Sequence, residues 1–174
     1  MSLFDWSRDE RKAAIRNMAN GRMTSVPLGF FVISVPEGTK LVVKNENGAI
    51  YSFPTTTGTL NPLEKETMAI QRTPKEIFQL QCNGRISSTL DSYFMVTRGD
   101  ITNGMVSPEV SSIRDFSVNG FPAKLETIKS EFVAATHIVF DFEDGYYTCL
   151  AFMYEKCKDS EYSMLINRIL SSII

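Results

Sequence analysis

Toward the C-terminus, apolar residues recur at helical spacing. Tyr162, Leu165, Ile166, Ile169, Leu170 and Ile173 fall at i, i+3, i+4 and i+7 positions. This predicts a helix capped by Asp159 or Ser160, with an apolar stripe wide enough to cover a sheet. The stretch before it reads as strands. Phe132 to Glu143 and Tyr146 to Glu155 are rich in β-branched and aromatic residues and flank Asp144-Gly145, a turn dipeptide. A two-residue turn there pairs Phe142 with Tyr147, Phe140 with Cys149, and Ile138 with Ala151. Both faces are apolar at mid-strand, which predicts cover on both sides. Ile113 to Val118 and Phe121 to Lys129 form a second hairpin about Asn119-Gly120. It sets Val118 against Phe121, Phe116 against Ala123 and Asp115 against Lys124, an opposite-charge pair worth roughly 0.2–1 kcal/mol.

Nearer the N-terminus the pattern is more broken. Ser7 to Glu10 reads as a capping box, and Asn20-Gly21 as the stop of a helix over residues 7–19. Phe30 to Val35 is a strand closed by Pro36-Glu37-Gly38. Lys40 to Lys44 and Ala49 to Phe53 pair about Asn47-Gly48. Residues 54–65 are polar and punctuated, hence a loop. Met68 to Gln71 and Ile77 to Gln81 read as short strands. Residues 86–97 fit a helix capped by Ser87 or Ser88 and ended by Arg98-Gly99, followed by loop to 109. The organisation expected is an N-terminal helical appendage over residues 1–25 and one α+β domain over 26–174.

The succession of these parts resembles the PsbP-like superfamily over about residues 26–174. Five pieces carry the resemblance. They are Ser34-Val35-Pro36-Glu37-Gly38 as a strand exit, Thr89-Leu90-Asp91-Ser92-Tyr93 as a first internal helix, Asn119-Gly120-Phe121-Pro122-Ala123 and Asp144-Gly145-Tyr146-Tyr147 as hairpins, and a closing helix with Ile166, Ile169 and Ser171-Ser172. The Ser7 to Ala19 helix is not part of that pattern, and residues 55–80 do not align with it. The resemblance implies an α/β/α sandwich, a central antiparallel sheet with helices on both faces. That family includes a photosystem subunit, a Ran-binding import factor, DcrB-like proteins and type VI secretion Eag-type chaperones. They share the binding of another macromolecule and no active site, so no catalytic residue carries over.

Composition narrows the classes. The chain has 174 residues, ample for a self-sufficient core. Its net charge of −2 and pI near 5.5 argue against a nucleic-acid binder. No apolar run is long enough to span a membrane. Three cysteines, Cys82, Cys149 and Cys157, without CxxC spacing, favour a reducing compartment, the cytoplasm. The first twelve residues hold no apolar core of a signal peptide.

Candidate chemistry is sparse. His137 is the one histidine and lies mid-strand; no G-x-S-x-G elbow accompanies it. Cys149 reads as core and Cys157 as the accessible thiol. Too few His and Cys are present for a zinc site. Glu143-Asp144 is turn chemistry, Glu64 and Glu66 are the other carboxylate pair, and Arg98-Gly99-Asp100 reads as a helix end. No catalytic, cofactor or metal residue is therefore assigned.

The expected function is a non-catalytic protein-binding module, such as a bacterial secretion chaperone or adaptor, or a toxin-immunity protein. A protein partner is expected, with a homodimer as one form. The candidate surface comprises Thr55, Thr56, Thr57 and Leu60 of the polar loop, plus Tyr146 and Tyr154 of the aromatic strand. Two alternatives stand beside it. One is a small-molecule or lipid pocket between sheet and helix, lined from the eight methionines and twelve phenylalanines. The other is an enzyme that depends on His137.

Overall fold

A computed structural model describes residues 8–29, 31–54, 66–81 and 89–173. Helix α1 (Arg8–Asn20) leads into the hairpin of β1 (Met23–Leu28) and β2 (Phe31–Pro36). An eight-stranded antiparallel sheet follows. It is built from β3 (Lys40–Asn45), β4 (Gly48–Ser52), β5 (Thr67–Pro74), β6 (Glu109–Val110), β7 (Arg114–Val118), β8 (Phe121–Lys129), β9 (Val133–Asp141) and β10 (Tyr146–Glu155). Its order is β3-β4-β5-β10-β9-β8-β6, with β7 also on β8. Helices α2 (Lys75–Gln81) and α3 (Leu90–Thr102) lie on one face, and α4 (Asp159–Ser171) on the other. The expected α+β fold, an antiparallel sheet covered on both faces, is what the chain adopts.

The larger core lies under α4. Tyr162, Leu165, Ile166 and Ile169 meet Ile138, Phe140, Leu150 and Phe152 of the sheet. The β1–β2 hairpin adds Val26, Leu28, Ile33 and Val35, and α1 adds Ile15, Met18 and Ala19. Two polar ties close this side. The Arg168 guanidinium donates to the Ala19 carbonyl, and the Ser34 N–H donates to Ser172 Oγ at 2.7 Å. On the opposite face Phe78 of α2 and Tyr93 and Phe94 of α3 pack on Val139, Tyr147 and Cys149. Among the described residues no helix is long and apolar enough to cross a membrane.

The β7–β8 hairpin has the expected register. Asn119 and Gly120 take φ of 52° and 84°, and Asp115 pairs with Lys124. Lys124 Nζ donates to Asp115 at 2.5 Å and reaches Asp91 of α3 at 2.8 Å.

Elsewhere the structure corrects the sequence reading. β9 and β10 are slipped by one residue from the expected pairing: Asp141 faces Tyr147, and Ile138 faces Leu150. The cause is the turn. Glu143 takes φ of 56°, its N–H bonds Asp141 Oδ1 at 3.0 Å, and the Tyr146 N–H bonds Asp144 Oδ1 at 3.1 Å. These side-chain acceptors stabilise a connection longer than two residues. The slip carries Cys149 and Tyr147 to the α3 face, away from Phe140.

Ile77 to Gln81 is helix, not strand. Pro74 ends β5, Glu76 sits in the first turn of α2, and Phe78 packs edge-on against Tyr93 and Tyr147. α3 is capped by Thr89, whose hydroxyl accepts the Ser92 N–H at 3.1 Å, rather than by Ser87 or Ser88. It runs through Arg98-Gly99 to Thr102. A glycine inside a helix costs about 1 kcal/mol, which the packing around Thr97 and Arg98 outweighs. α4 starts after Lys158 and has no side-chain cap. β1, starting at Met23, is a strand the sequence reading did not predict. The capping box at Ser7 lies outside the described residues.

Candidate protein-docking edge

β3 and β4 form because the β-formers Val42, Val43, Ile50 and Tyr51 lie on either side of a polar turn. The turn residues are Glu46 and Asn47; Asn45 Oδ1 accepts the Asn47 N–H at 3.0 Å. Gly48 opens β4 instead of serving the turn. A Cβ there would lie 2.8 Å from the Ile70 carbonyl oxygen, so only glycine allows this approach of β4 to β5.

β3 is a terminal strand of the sheet, and all six of its residues are exposed. Leu41, Val42 and Val43 are 51%, 50% and 49% accessible. The ladder to β4 shifts at Val42, with Leu41 opposite Tyr51 and Val43 opposite Ile50. That bulge turns Leu41 toward the α4 side and Val43 toward the α2–α3 side, where Ile50 and Ala69 continue the apolar surface. An open groove of about 490 Å³ runs there, lined by Val43, Gly48, Ile50, Ala69 and Gln71 among others. Of the other exposed apolar side chains, Met95 and Val96 are adjacent on α3, Met164 is on α4 and Phe132 is in the β8–β9 connection. Three successive apolar residues on a terminal strand form the kind of edge that soluble proteins rarely leave uncovered.

Two buried polar groups compete for attention. Thr97 Oγ1, the His137 ring and Glu126 are linked in series, at 2.6 Å to Nε2 and 2.7 Å from Nδ1 to Oε2. A hydroxyl, imidazole and carboxylate in this order are the connectivity of a nucleophile triad. The surroundings do not suit that chemistry. Thr97 is 3% exposed, His137 and Glu126 0%. The Phe94 ring lies on the imidazole at 4.5 Å. Arg98 holds Glu126 through Nε and Nη2, at 2.6–3.0 Å. Burial pushes the Glu126 carboxyl up, but hydrogen bonds and charge from His137 and Arg98 outweigh it and leave the group below its ordinary value. No substrate reaches the Thr97 oxygen in this arrangement. The group ties α3 to β8 and β9.

The second group lies under α4. Glu66 accepts from both the Lys158 ammonium and the Tyr162 hydroxyl, and Lys158 also meets Glu155 at 2.9 Å. Tyr154 stacks on Tyr162 at 4.7 Å and donates to Asp159 at 2.7 Å. Desolvation raises the Tyr154 hydroxyl above its ordinary value.

The residues singled out from sequence are thus dispersed. Thr55, Thr56, Thr57, Leu60, Glu64 and Cys82 lie outside the described residues. Tyr154 is 3% exposed and offers no surface, because it lies under α4 with Tyr162 stacked on it. Tyr146 is half-buried, with the Arg72 guanidinium 4.1 Å above its ring. Arg72 is held in turn by Asp144 at 2.8 Å. Cys149 is buried, its thiol pushed up to about 12 by desolvation, and Cys157 is exposed. Arg98-Gly99-Asp100 lies inside α3. Among the described residues no three His, Cys, Asp or Glu side chains gather as a metal site. The β3 edge escaped notice in sequence because Leu41-Val42-Val43 reads equally well as a buried strand.

No protein-family model matches the chain, and no curated protein matches it in sequence. Solved structures do. The Ran-binding protein Mog1p of Saccharomyces cerevisiae aligns at TM-score 0.60 and 10% identity, covering 88% of this chain and 95% of its own. Cyanobacterial PsbP (CyanoP) from Synechocystis sp. PCC 6803 aligns at TM-score 0.58 and 14% identity, covering 88% and 91%. A Pseudomonas aeruginosa protein described as a putative regulator aligns at TM-score 0.54 and 9% identity, covering 88% and 97%. At these identities the likeness is one of fold: the chain has the α+β fold common to Mog1 and PsbP.

Proposed function

We propose that this chain is a non-catalytic protein-binding module that docks a partner protein on the β3 edge and the adjoining Val43–Ile50–Ala69 surface. The observation that carries the reading is β3 itself, a terminal strand with three consecutive half-exposed apolar residues. The buried state of Thr97, His137 and Glu126 supports a structural role for the one arrangement with catalytic connectivity. A fold shared with a protein described as Ran-binding is in keeping with it. A secretion-linked chaperone or a toxin-immunity protein is a narrower form of the same reading, and rests on the sequence resemblance. A cytoplasmic setting belongs to that form.

Comparative capture tests the reading. Val42→Ser with Val43→Ser removes apolar contact from exposed positions, so folding changes little. The double variant is expected to lose the partner captured by the unaltered chain, with affinity reduced at least about tenfold. Met164→Ser, at an exposed apolar residue of α4, keeps it. Equal capture by all three proteins rejects the β3 edge as the docking site.

A further inference from the structure

His137 is the one histidine of the chain and is fully buried. Both of its ring nitrogens have partners, and the partners differ in kind. Nδ1 lies 2.7 Å from Oε2 of Glu126. That carboxyl is held below its ordinary value, so near neutrality it is ionised and only accepts. Nδ1 therefore carries a hydrogen. Nε2 lies 2.6 Å from the Thr97 hydroxyl, a group that both donates and accepts. Thr97 Oγ1 is also 3.0 Å from the Tyr93 carbonyl and 3.2 Å from that of Phe94. Its single hydrogen thus has two places to go. Pointed at Nε2, it pairs a neutral imidazole. Pointed at the Tyr93 carbonyl, it leaves an oxygen lone pair for an Nε2–H. Either way the ring and the hydroxyl stay paired, so a change of charge on the ring orphans neither.

The groups packed around the ring set the balance of charge. β8 brings Glu126 opposite His137 and, two residues away on the same face, Lys124, which is bonded to Asp91 and Asp115. α3 brings Arg98, bonded to Glu126, and the Phe94 ring, stacked on the imidazole at 4.5 Å. Tyr93 of α3 and Cys149 of β10 stay protonated, pushed up chiefly by burial and further by the charge of Asp100. Arg98 opposes a second cation. The Glu126 carboxylate, bonded to both, and the face of the Phe94 ring favour one.

We propose that His137 is a proton-binding site of the folded protein. On acidification Nε2 takes a hydrogen from solvent, and the Thr97 hydroxyl turns its own hydrogen from Nε2 to the Tyr93 carbonyl. The tie between α3 and β9 becomes charge-assisted while the fold stays closed. This joint is independent of the docking edge.

Heteronuclear NMR of the full chain tests this, because a single histidine gives one pair of ring-nitrogen signals. Between about pH 8 and about pH 5, Nε2 is expected to pass from unprotonated to protonated, with Nδ1 protonated throughout. The α3 amides from Phe94 to Arg98 stay protected from exchange over that range. Thr97→Val removes the hydroxyl and keeps the size. The Nε2–H of an imidazolium then lacks its acceptor, so proton affinity falls about five- to tenfold and the midpoint moves down by most of a pH unit. Thr97→Ser restores it.

An Nε2 that stays unprotonated down to about pH 5, or is protonated over the whole range, overturns the proposal. So does protonation that comes only with loss of α3 protection, which places the proton on the opened chain. A Thr97→Val midpoint equal to that of the unaltered chain, or a Thr97→Ser midpoint equal to that of Thr97→Val, also overturns it. Where Thr97→Val does not fold, the unaltered chain and Thr97→Ser decide by the same signals.

Discussion

Replacing Glu126 by alanine is expected to destabilise the fold by about 3–5 kcal/mol, the cost of removing one partner from a buried ion pair. The carboxylate is fully buried, faces His137 across the β8–β9 ladder, and receives three hydrogen-bond contacts from Arg98. Its loss leaves the buried imidazole without its carboxylate partner and frees Arg98 of α3 from its tether. For a chain of this length the thermal midpoint falls on the order of 10 °C. Glu126→Gln keeps the shape and isolates the charge. The folded carboxyl lies below its ordinary value of 4.5, so its stabilisation is fully present above that pH and is lost as pH falls through the folded value. The gap in stability between the unaltered protein and Glu126→Gln should therefore be widest near neutrality and narrow below pH 4.5. Urea denaturation across that range reads it. A constant gap would contradict the assignment of charge to Glu126.

Lys158→Met is expected to cost a similar amount, about 3–5 kcal/mol, because it removes the cation from the buried Glu66–Lys158 ion pair. Glu66 and Lys158 are each 3% exposed, and their contact joins the start of β5 to the approach of α4. Replacing both at once, Glu66→Leu with Lys158→Met, removes the buried charge as well and should recover most of the loss, as apolar substitutes for buried pairs often do. The Tyr162 hydroxyl then lacks its acceptor on Glu66, so a small deficit remains. A single variant as stable as the unaltered protein, by chemical denaturation, would show that the contact does not hold α4.

The fold was legible where local chemistry and long-range packing agree. Asn119-Gly120 fixed the β7–β8 register because both residues accept positive φ. The stripe named α4 because five apolar residues, Tyr162, Leu165, Ile166, Ile169 and Leu170, recur at helical spacing along it, with Ile173 just past its end. The apolar centres of β9 and β10 foretold cover on both sides, although not the pairing between them. That pairing depends on how Asp141 and Asp144 hydrogen-bond to the turn, which the dipeptide Asp-Gly does not disclose. Ile77 to Gln81 is too short for period to separate strand from helix; its place beneath Tyr93 and Tyr147 decides it. The Thr97–His137–Glu126–Arg98 group joins α3 to the β8–β9 hairpin, distant in sequence, with no spacing to betray it. The proposed docking edge is hardest of all. Leu41, Val42 and Val43 look like core residues until the strand order places β3 at the end of the sheet.

A photo-reactive amino acid at position 43, compared with one at exposed Ser117 on β7, tests the docking site most directly. Activated in the source cells, position 43 should give one dominant adduct with a partner protein, and position 117 none of it. No adduct at 43, or the same adducts at both positions, would contradict a protein-docking role for the β3 edge.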